Sequence, residues 1–165
     1  MYDPTRSIIK GFYTKLNGFV KYDNAAYPVA SVPVRGTDDS YVLIDSVTVR
    51  EDGAKDAFIS ECTCLVRVVT RFKGVGSKAK LGNLADKVMQ IIQPTPSAVV
   101  DISNKFNMIN LQLESSGDII DNLHPSDREL QQPIRYRMLV EQIKDPDYYI
   151  GEYDSDDYDH DEDNF

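Results

Sequence analysis

Between residues 57 and 94 the hydrophobic period changes from two to about 3.6. From 57 to 72 the even positions carry the apolar run Phe58, Cys62, Cys64, Val66 and Val68, while the odd positions are mixed and include Glu61, Thr63, Arg67 and Arg71. That is the pattern of a strand with one face buried. A few residues later Leu81, Leu84, Ala85, Val88, Met89 and Ile92 recur at helical spacing and form one apolar stripe. Ser77 is placed to cap that helix and Pro94 to end it. A half-buried strand followed by a one-striped helix must cover both apolar faces, which a helix-on-sheet layer does.

The remaining elements fit the same layer. Asp3 is placed to cap an opening helix, with Pro4 at its first position. Ile8, Ile9, Phe12, Tyr13 and Leu16 share one side of it, and Asn17-Gly18 stops it. Residues 19–40, with Pro28, Pro33 and Gly36, read as a short strand or an extended loop. In 41–49, Tyr41, Leu43, Val47 and Val49 are expected on one strand face, interrupted by Asp45, and Glu51-Asp52-Gly53 reads as the turn into the next strand. Ile109, Leu111 and Leu113 alternate with Met108, Asn110 and Gln112, and Ile134, Tyr136, Met138 and Val140 with Arg135, Arg137 and Glu141. The expected fold is α+β: a mainly antiparallel sheet of about four strands, two helices on one face, and an extended acidic C-terminal arm.

The charge is unevenly placed. The net charge of -9 hides ten acids and no Lys or Arg in 145–165, which leaves 17 acids against 18 bases in 1–144. A near-neutral body (1–144) and an acidic, aromatic-rich arm (145–165) therefore need separate explanations. The neutral body lacks the basic excess of a nucleic-acid binder, and the arm repels phosphates. No apolar run reaches the roughly 18–20 residues of a membrane span. The start, MYDPTRSIIKGF, has no basic stretch leading into an apolar one, so no secretory leader is expected. Two cysteines do not make a disulfide framework, and an intracellular, reducing setting is the simplest reading.

No catalytic constellation is visible. His124 precedes a proline in a loop, and His160 lies within the acidic arm. No phosphate-binding or nucleophile motif is present; Gly74-Val75-Gly76-Ser77 reads as a turn feeding a helix cap rather than a phosphate cradle. Cys62 and Cys64 would share a strand face, but a structural zinc site needs about four ligands, so both read as small buried hydrophobes. Asp154, Asp156 and Asp157 lack the glycine and spacing of a calcium loop. No cofactor, metal or catalytic residue is expected.

The segments "MYDPTRSIIKGFYTKL", "YPVASVP", "YVLIDSVTV", "FISECTCLVRVVTRF", "GSKAKLGNLADKVMQII", "FNMINLQLE" and "IRYRMLVEQI" occur in an order that resembles the tail-terminator, or tail-completion, proteins of tailed bacteriophages and, more widely, the small head–tail connector ring proteins. The likeness covers 1–144 and is one of element pattern rather than of a signature motif; the arm at 145–165 departs from it. The resemblance implies a non-enzymatic structural virion protein, made in the host bacterial cytoplasm. It would form a closed ring of six or twelve copies in the neck or tail. Portal, neck or tail proteins would flank the ring, and DNA would pass through without specific binding.

Two surfaces would serve such a ring. Arg67, Arg71, Arg135 and Arg137 are expected on the sheet face opposite the helices. The arm carries Tyr148, Tyr149, Ile150, Tyr153, Asp154, Asp156, Asp157 and Tyr158, aromatics and carboxylates suited to docking on a neighbouring subunit or an adjoining ring protein. A solubilising tail, or one that keeps phosphates off a DNA conduit, is the plainer reading of the same residues. An acidic DNA mimic or inhibitor, or a small ligand-binding domain, is the alternative for the whole chain; confinement of the acids to one end disfavours the mimic.

Overall fold

The computed structural model describes residues 1–34, 40–53, 56–73, 78–117, 119–123 and 128–143. The first helix, α1 (Thr5–Leu16), starts one residue later than its sequence implies: Pro4, expected at the first helical position, takes the cap position, while Asp3 Oδ1 still accepts a hydrogen bond from the Thr5 backbone N–H at 2.9 Å. Hydrogen bonds from Thr5, side chain first and then backbone, hold the Asp3 carboxyl below its ordinary range. At the other end the Asn17 N–H donates to the Tyr13 carbonyl at 2.8 Å. Gly18 then turns the chain at φ +81, where a side chain would be strained. Ile8, Phe12 and Leu16 are fully buried, whereas Tyr13, expected on the same stripe, lies at its exposed edge.

The region 21–30 holds three two-residue strands. β1 (Lys21–Tyr22) and β2 (Ala25–Ala26) make a small hairpin, closed by Asp23 and Asn24 at φ 49 and 63. Two successive positive φ values give the turn whose twist matches paired strands, and Asp and Asn tolerate them. β3 (Val29–Ala30) instead joins the main sheet. The chain continues through β4 (Tyr41–Glu51), β5 (Ile59–Phe72), α2 (Lys78–Ile92), β6 (Phe106–Ser116), β7 (Ile120–Leu123) and β8 (Arg128–Gln142).

Among the described residues the main sheet has six strands rather than about four, in the order β3-β4-β5-β8-β6, with β7 also on β8. It is not wholly antiparallel, because β3 runs parallel to β4. The additional strands, β3 and β7, are two and four residues long, too short to generate a readable period. The long central pair is as the alternation implies: β5 and β8 pair without interruption from Ile59↔Glu141 to Phe72↔Arg128. Cys62, Cys64, Val66 and Val68 on β5 meet Ile134, Tyr136, Met138 and Val140 on β8 in the core, all buried. Phe58 does not join them; it precedes β5 and is 50% exposed.

Two strands depart from simple alternation because each is bulged. In β4 the register shifts between Ile44 and Ser46, with Asp45 the extra residue. Ahead of the bulge Val42 and Ile44 enter the core, while Tyr41 and Leu43 turn to the other face and pack with Val69 and Val34. Beyond it Val47 and Val49 face the core. Tyr41, Leu43, Val47 and Val49 therefore do not share a face, since one inserted residue reverses every later side chain. In β6 the register shifts at Ile109 and again at Glu114. Phe106, Met108 and Leu111 are buried, and Ile109 and Leu113, expected inward, stay exposed.

Both helices cover the same face of the sheet. Leu81, Leu84, Ala85, Val88 and Ile92 of α2 join Ile8, Phe12 and Leu16 of α1 over the strands in one cluster. Phe12 meets the ring of Tyr136 edge-on, with centroids 5.7 Å apart. At the end of α2, Gln93 Nε2 donates to the Leu111 carbonyl at 2.8 Å and ties the helix to β6. Ser77 and the Gly74–Gly76 turn lie outside the described residues.

Candidate interaction surface

The face opposite the helices is built by the odd-numbered residues of β5 and β8, and it carries all four arginines singled out above. Register puts Arg67 beside Pro133, Arg71 beside Glu129, Arg135 beside Leu65 and Arg137 beside Thr63. Each guanidinium meets a carboxylate of the same face. Arg67 reaches Asp45 at 3.1 Å and also donates to Gln131. Arg71 reaches Glu129 at 2.7 Å, Arg135 reaches Glu114 at 3.8 Å, and Arg137 reaches Glu61 at 2.7 Å. The expected basic patch is thus a mixed-charge lattice with its own counter-ions.

The lattice is graded from one end to the other. The Arg71–Glu129 pair is the most enclosed, with side chains 18% and 12% exposed, and the Arg71 guanidinium also lies 5.2 Å from the centre of the Tyr41 ring. Arg135 and Arg137 are about half exposed. Exposed pairs contribute only about 0–1 kcal/mol each, so these two charges are held loosely. At the far end of β8, Arg128 and Asp121 form a forked pair across to β7; the hydrogen bond from Arg128 lowers the Asp121 carboxyl and raises the guanidinium. The arginines were readable from period two, but their partners Asp45, Glu61, Glu114 and Glu129 were not, because pairing depends on register across strands distant in sequence.

The buried reactive groups are locked away from chemistry. Cys62 and Cys64 are both fully enclosed in the core. Burial, with smaller contributions from Asp3 and Glu61, pushes the Cys62 thiol up to about 11, and burial alone pushes Cys64 up to about 12. Thiols so placed are neutral and act as small apolar side chains. Burial raises the Tyr136 phenol well above its usual range, and its hydroxyl has no hydrogen-bond partner among the described residues.

A second surface lies on the helical side. α1 and the segment 99–104 enclose a groove of about 540 Å³, lined by Lys10, Thr14 and Lys15 on one wall and by Val99, Asp101 and Asn104 on the other. The two walls touch at Gly11, where an added Cβ would stand 2.7 Å from the Asp101 carbonyl oxygen. A glycine inside a helical pattern does not by itself reveal this contact, because Gly82 in α2 sits in the same kind of pattern with nothing within 4 Å.

Tyr148, Tyr149, Ile150, Tyr153, Asp154, Asp156, Asp157 and Tyr158 lie outside the described residues, as do His124 and His160. Among the described residues no three His, Cys, Asp or Glu side chains cluster as a metal site would need, and no helix is long and apolar enough to cross a membrane.

No family model and no curated protein matches the chain. Among solved structures, the fold is similar to that of a chain from the virion of a native gene transfer agent particle, with a TM-score of 0.59 and 15% sequence identity. The similarity covers 80% of this chain and 94% of that one.

Proposed function

We propose that this chain is a structural virion subunit that builds a closed ring in the neck or tail of a phage-type particle, as a tail-terminator-like adaptor. The observation that carries the reading is the shared fold with a virion chain over 94% of that chain's length. The ring would hold six or twelve copies, flanked by portal, neck or tail proteins, with DNA passing through unbound. Ring closure requires one patch on a subunit to meet a different patch on its neighbour. A sheet face carrying paired Arg and acidic side chains suits such a contact, because exposed pairs are individually weak and can exchange partners across an interface at little cost.

On this reading the chain divides into a body, 1–144, that forms the ring, and an arm, 145–165, that adds contacts in the assembled particle. Arg67, Arg71, Arg135 and Arg137 would serve the side-by-side contact. The arm's aromatics and carboxylates would engage a neighbouring subunit or adjoining ring protein. The protein has no catalytic task in this scheme.

Native mass measurement of the purified full chain, alone and with candidate portal or tail proteins, tests the proposal. A closed multiple of the 18.7 kDa subunit, six or twelve copies, is expected. A species that stays monomeric at high concentration and with every such partner would overturn it.

A further inference from the structure

The positive charges of the two surfaces are not equivalent. The four sheet-face arginines are each matched by a carboxylate of the body. α1, by contrast, carries Arg6, Lys10 and Lys15 and no acidic residue. No ion pair to Lys10 or Lys15 occurs among the described residues, and both line the groove. The acidic surplus of this chain is concentrated in 145–165, with ten carboxylates.

The chain also leaves the body beside that groove. β8 ends at Gln142, opposite Phe106, and the Ile143 N–H donates to the Lys105 carbonyl at 2.9 Å, one residue from groove-lining Asn104. Around this exit lies exposed apolar surface. The Gln142 N–H bonds the Phe58 carbonyl, the Gln142 side chain accepts from the Tyr2 N–H, and Tyr2, Phe58 and Ile143 are all about half exposed. Lys105 Nζ stands 5.3 Å from the centre of the Tyr2 ring.

We propose that, in the free subunit, residues 145–165 seat on their own chain. The Tyr148–Ile150 run covers the Tyr2, Phe58 and Ile143 surface, and the carboxylates from Asp154 onward lie along the groove against Lys10 and Lys15. Tyr148 follows Ile143 by five residues, a reach of roughly 17 Å at full extension, so the aromatic run can arrive at the patch that surrounds its exit. Asp154, the first of these acids, follows Ile143 by eleven residues, and a tether of that length gives the acids roughly a millimolar effective concentration at the groove, which favours the same chain over a separate copy in dilute solution. The inference concerns the isolated subunit and does not depend on the ring reading.

Amine acetylation of the full chain, followed by mass spectrometry, reads the contact directly. The comparison is with the full chain carrying Asp154→Asn, Asp156→Asn, Asp157→Asn and Asp159→Asn, changes confined to the arm. In dilute protein at low salt, Lys10 and Lys15 are expected to react about threefold more slowly in the natural chain, and 1 M NaCl, where screening acts within about 3 Å, should abolish the difference. Lys87, on α2, serves as the internal reference. Equal rates in the two proteins at low salt would overturn the proposal. Carbodiimide coupling of a mixture of light and heavy-isotope chains distinguishes the source: links from Lys10 or Lys15 to the arm within one isotope support it, and links formed only between isotopes overturn the own-chain seat. Oligomer mass is read separately, so failure here is distinct from failure of the ring.

Discussion

Asp45 is the bulged residue of β4, and its carboxylate closes on Arg67 of β5 at 3.1 Å. The residue that breaks the strand's alternation thus anchors one arginine of the outer face. Below it Val42 and Ile44 face the core, and above it Val47 and Val49 do. Replacing Asp45 with Ala keeps the extra residue and removes one partly exposed ion pair, for an expected loss of about 1 kcal/mol in urea unfolding. Deleting Asp45 is a different change. It removes the extra residue, and because Ile44 pairs with Val66 and Ser46 with the adjacent Leu65, the ladder can close without it while Val47 and Val49 still face the core, so the deletion should cost little more than the Ala variant. A deletion variant far less stable than the Ala variant would show that the bulge does more than carry the Asp45–Arg67 pair.

The two helical glycines should respond with opposite signs. Gly11 packs against the segment 100–102, and a methyl there would meet the Asp101 carbonyl at 2.7 Å, too close for contact without moving backbone. Gly82 in α2 has nothing within 4 Å of the same position. Gly11→Ala should cost about 1–3 kcal/mol through overpacking, while Gly82→Ala should stabilise by about 0.5–1 kcal/mol through helix propensity. Thermal unfolding of the two variants beside the natural chain checks both signs.

How far the sequence was legible follows from the length and regularity of each element. α2, β5 and β8 are 14 or 15 residues long, and Leu81, Leu84, Ala85, Val88 and Ile92, then Cys62, Cys64, Val66 and Val68, then Ile134, Tyr136, Met138 and Val140 are buried as read, whereas Phe58 is not and the first six residues of β8 read as loop in the sequence. β4 and β6 were placed correctly as strands, but the bulges at Asp45 and Ile109 reversed part of their faces. A period-two argument has no means of seeing an inserted residue. β1, β2, β3 and β7 were missed as separate strands because two to four residues carry no period. On the outer face the arginines could be named in advance and their neutralising carboxylates could not. The groove beside α1 joins segments almost ninety residues apart, which no local pattern reports.

The outer face makes a prediction that separates assembly from folding. Arg135 and Arg137 are about half exposed, and their pairs with Glu114 and Glu61 are of the weak surface kind. Arg135→Glu with Arg137→Glu should therefore change subunit stability by no more than about 1–2 kcal/mol, mostly from new like-charge contacts with Glu61 and Glu114. If this face joins neighbours in the ring, the same variant should shift sedimentation from a large species to the monomer. Loss of the large species with the melting curve preserved assigns the face to assembly, whereas an unchanged large species would remove it from the interface.

The raised core thiols predict how stability depends on alkaline pH. In the unfolded chain a cysteine ionises near 9.0, and in the folded chain burial moves Cys62 to about 11 and Cys64 to about 12. Burial shifts Tyr136 upward in the same way from 10.0. Between the unfolded and folded values the native state therefore holds protons that the unfolded state has released. Stability must then fall as pH rises, because the state binding fewer protons is favoured by their removal. The contribution of these groups is fully present below pH 9 and is lost progressively from there through pH 11 to 12. Unfolding midpoints in urea measured from pH 8 upward should be flat at first and then decline. Replacing Cys62 and Cys64 together with Ala should lower the plateau, since buried volume is removed, yet flatten the decline above pH 9. In the native chain below that pH both thiols should also resist an aromatic disulfide reagent until urea is added. A double variant that loses stability with the same alkaline slope as the natural chain would assign the slope to Tyr136 instead, and Tyr136→Phe then distinguishes it. That substitution removes a buried hydroxyl that has no partner among the described residues, so it should cost less than about 1 kcal/mol while abolishing the tyrosine's share of the slope.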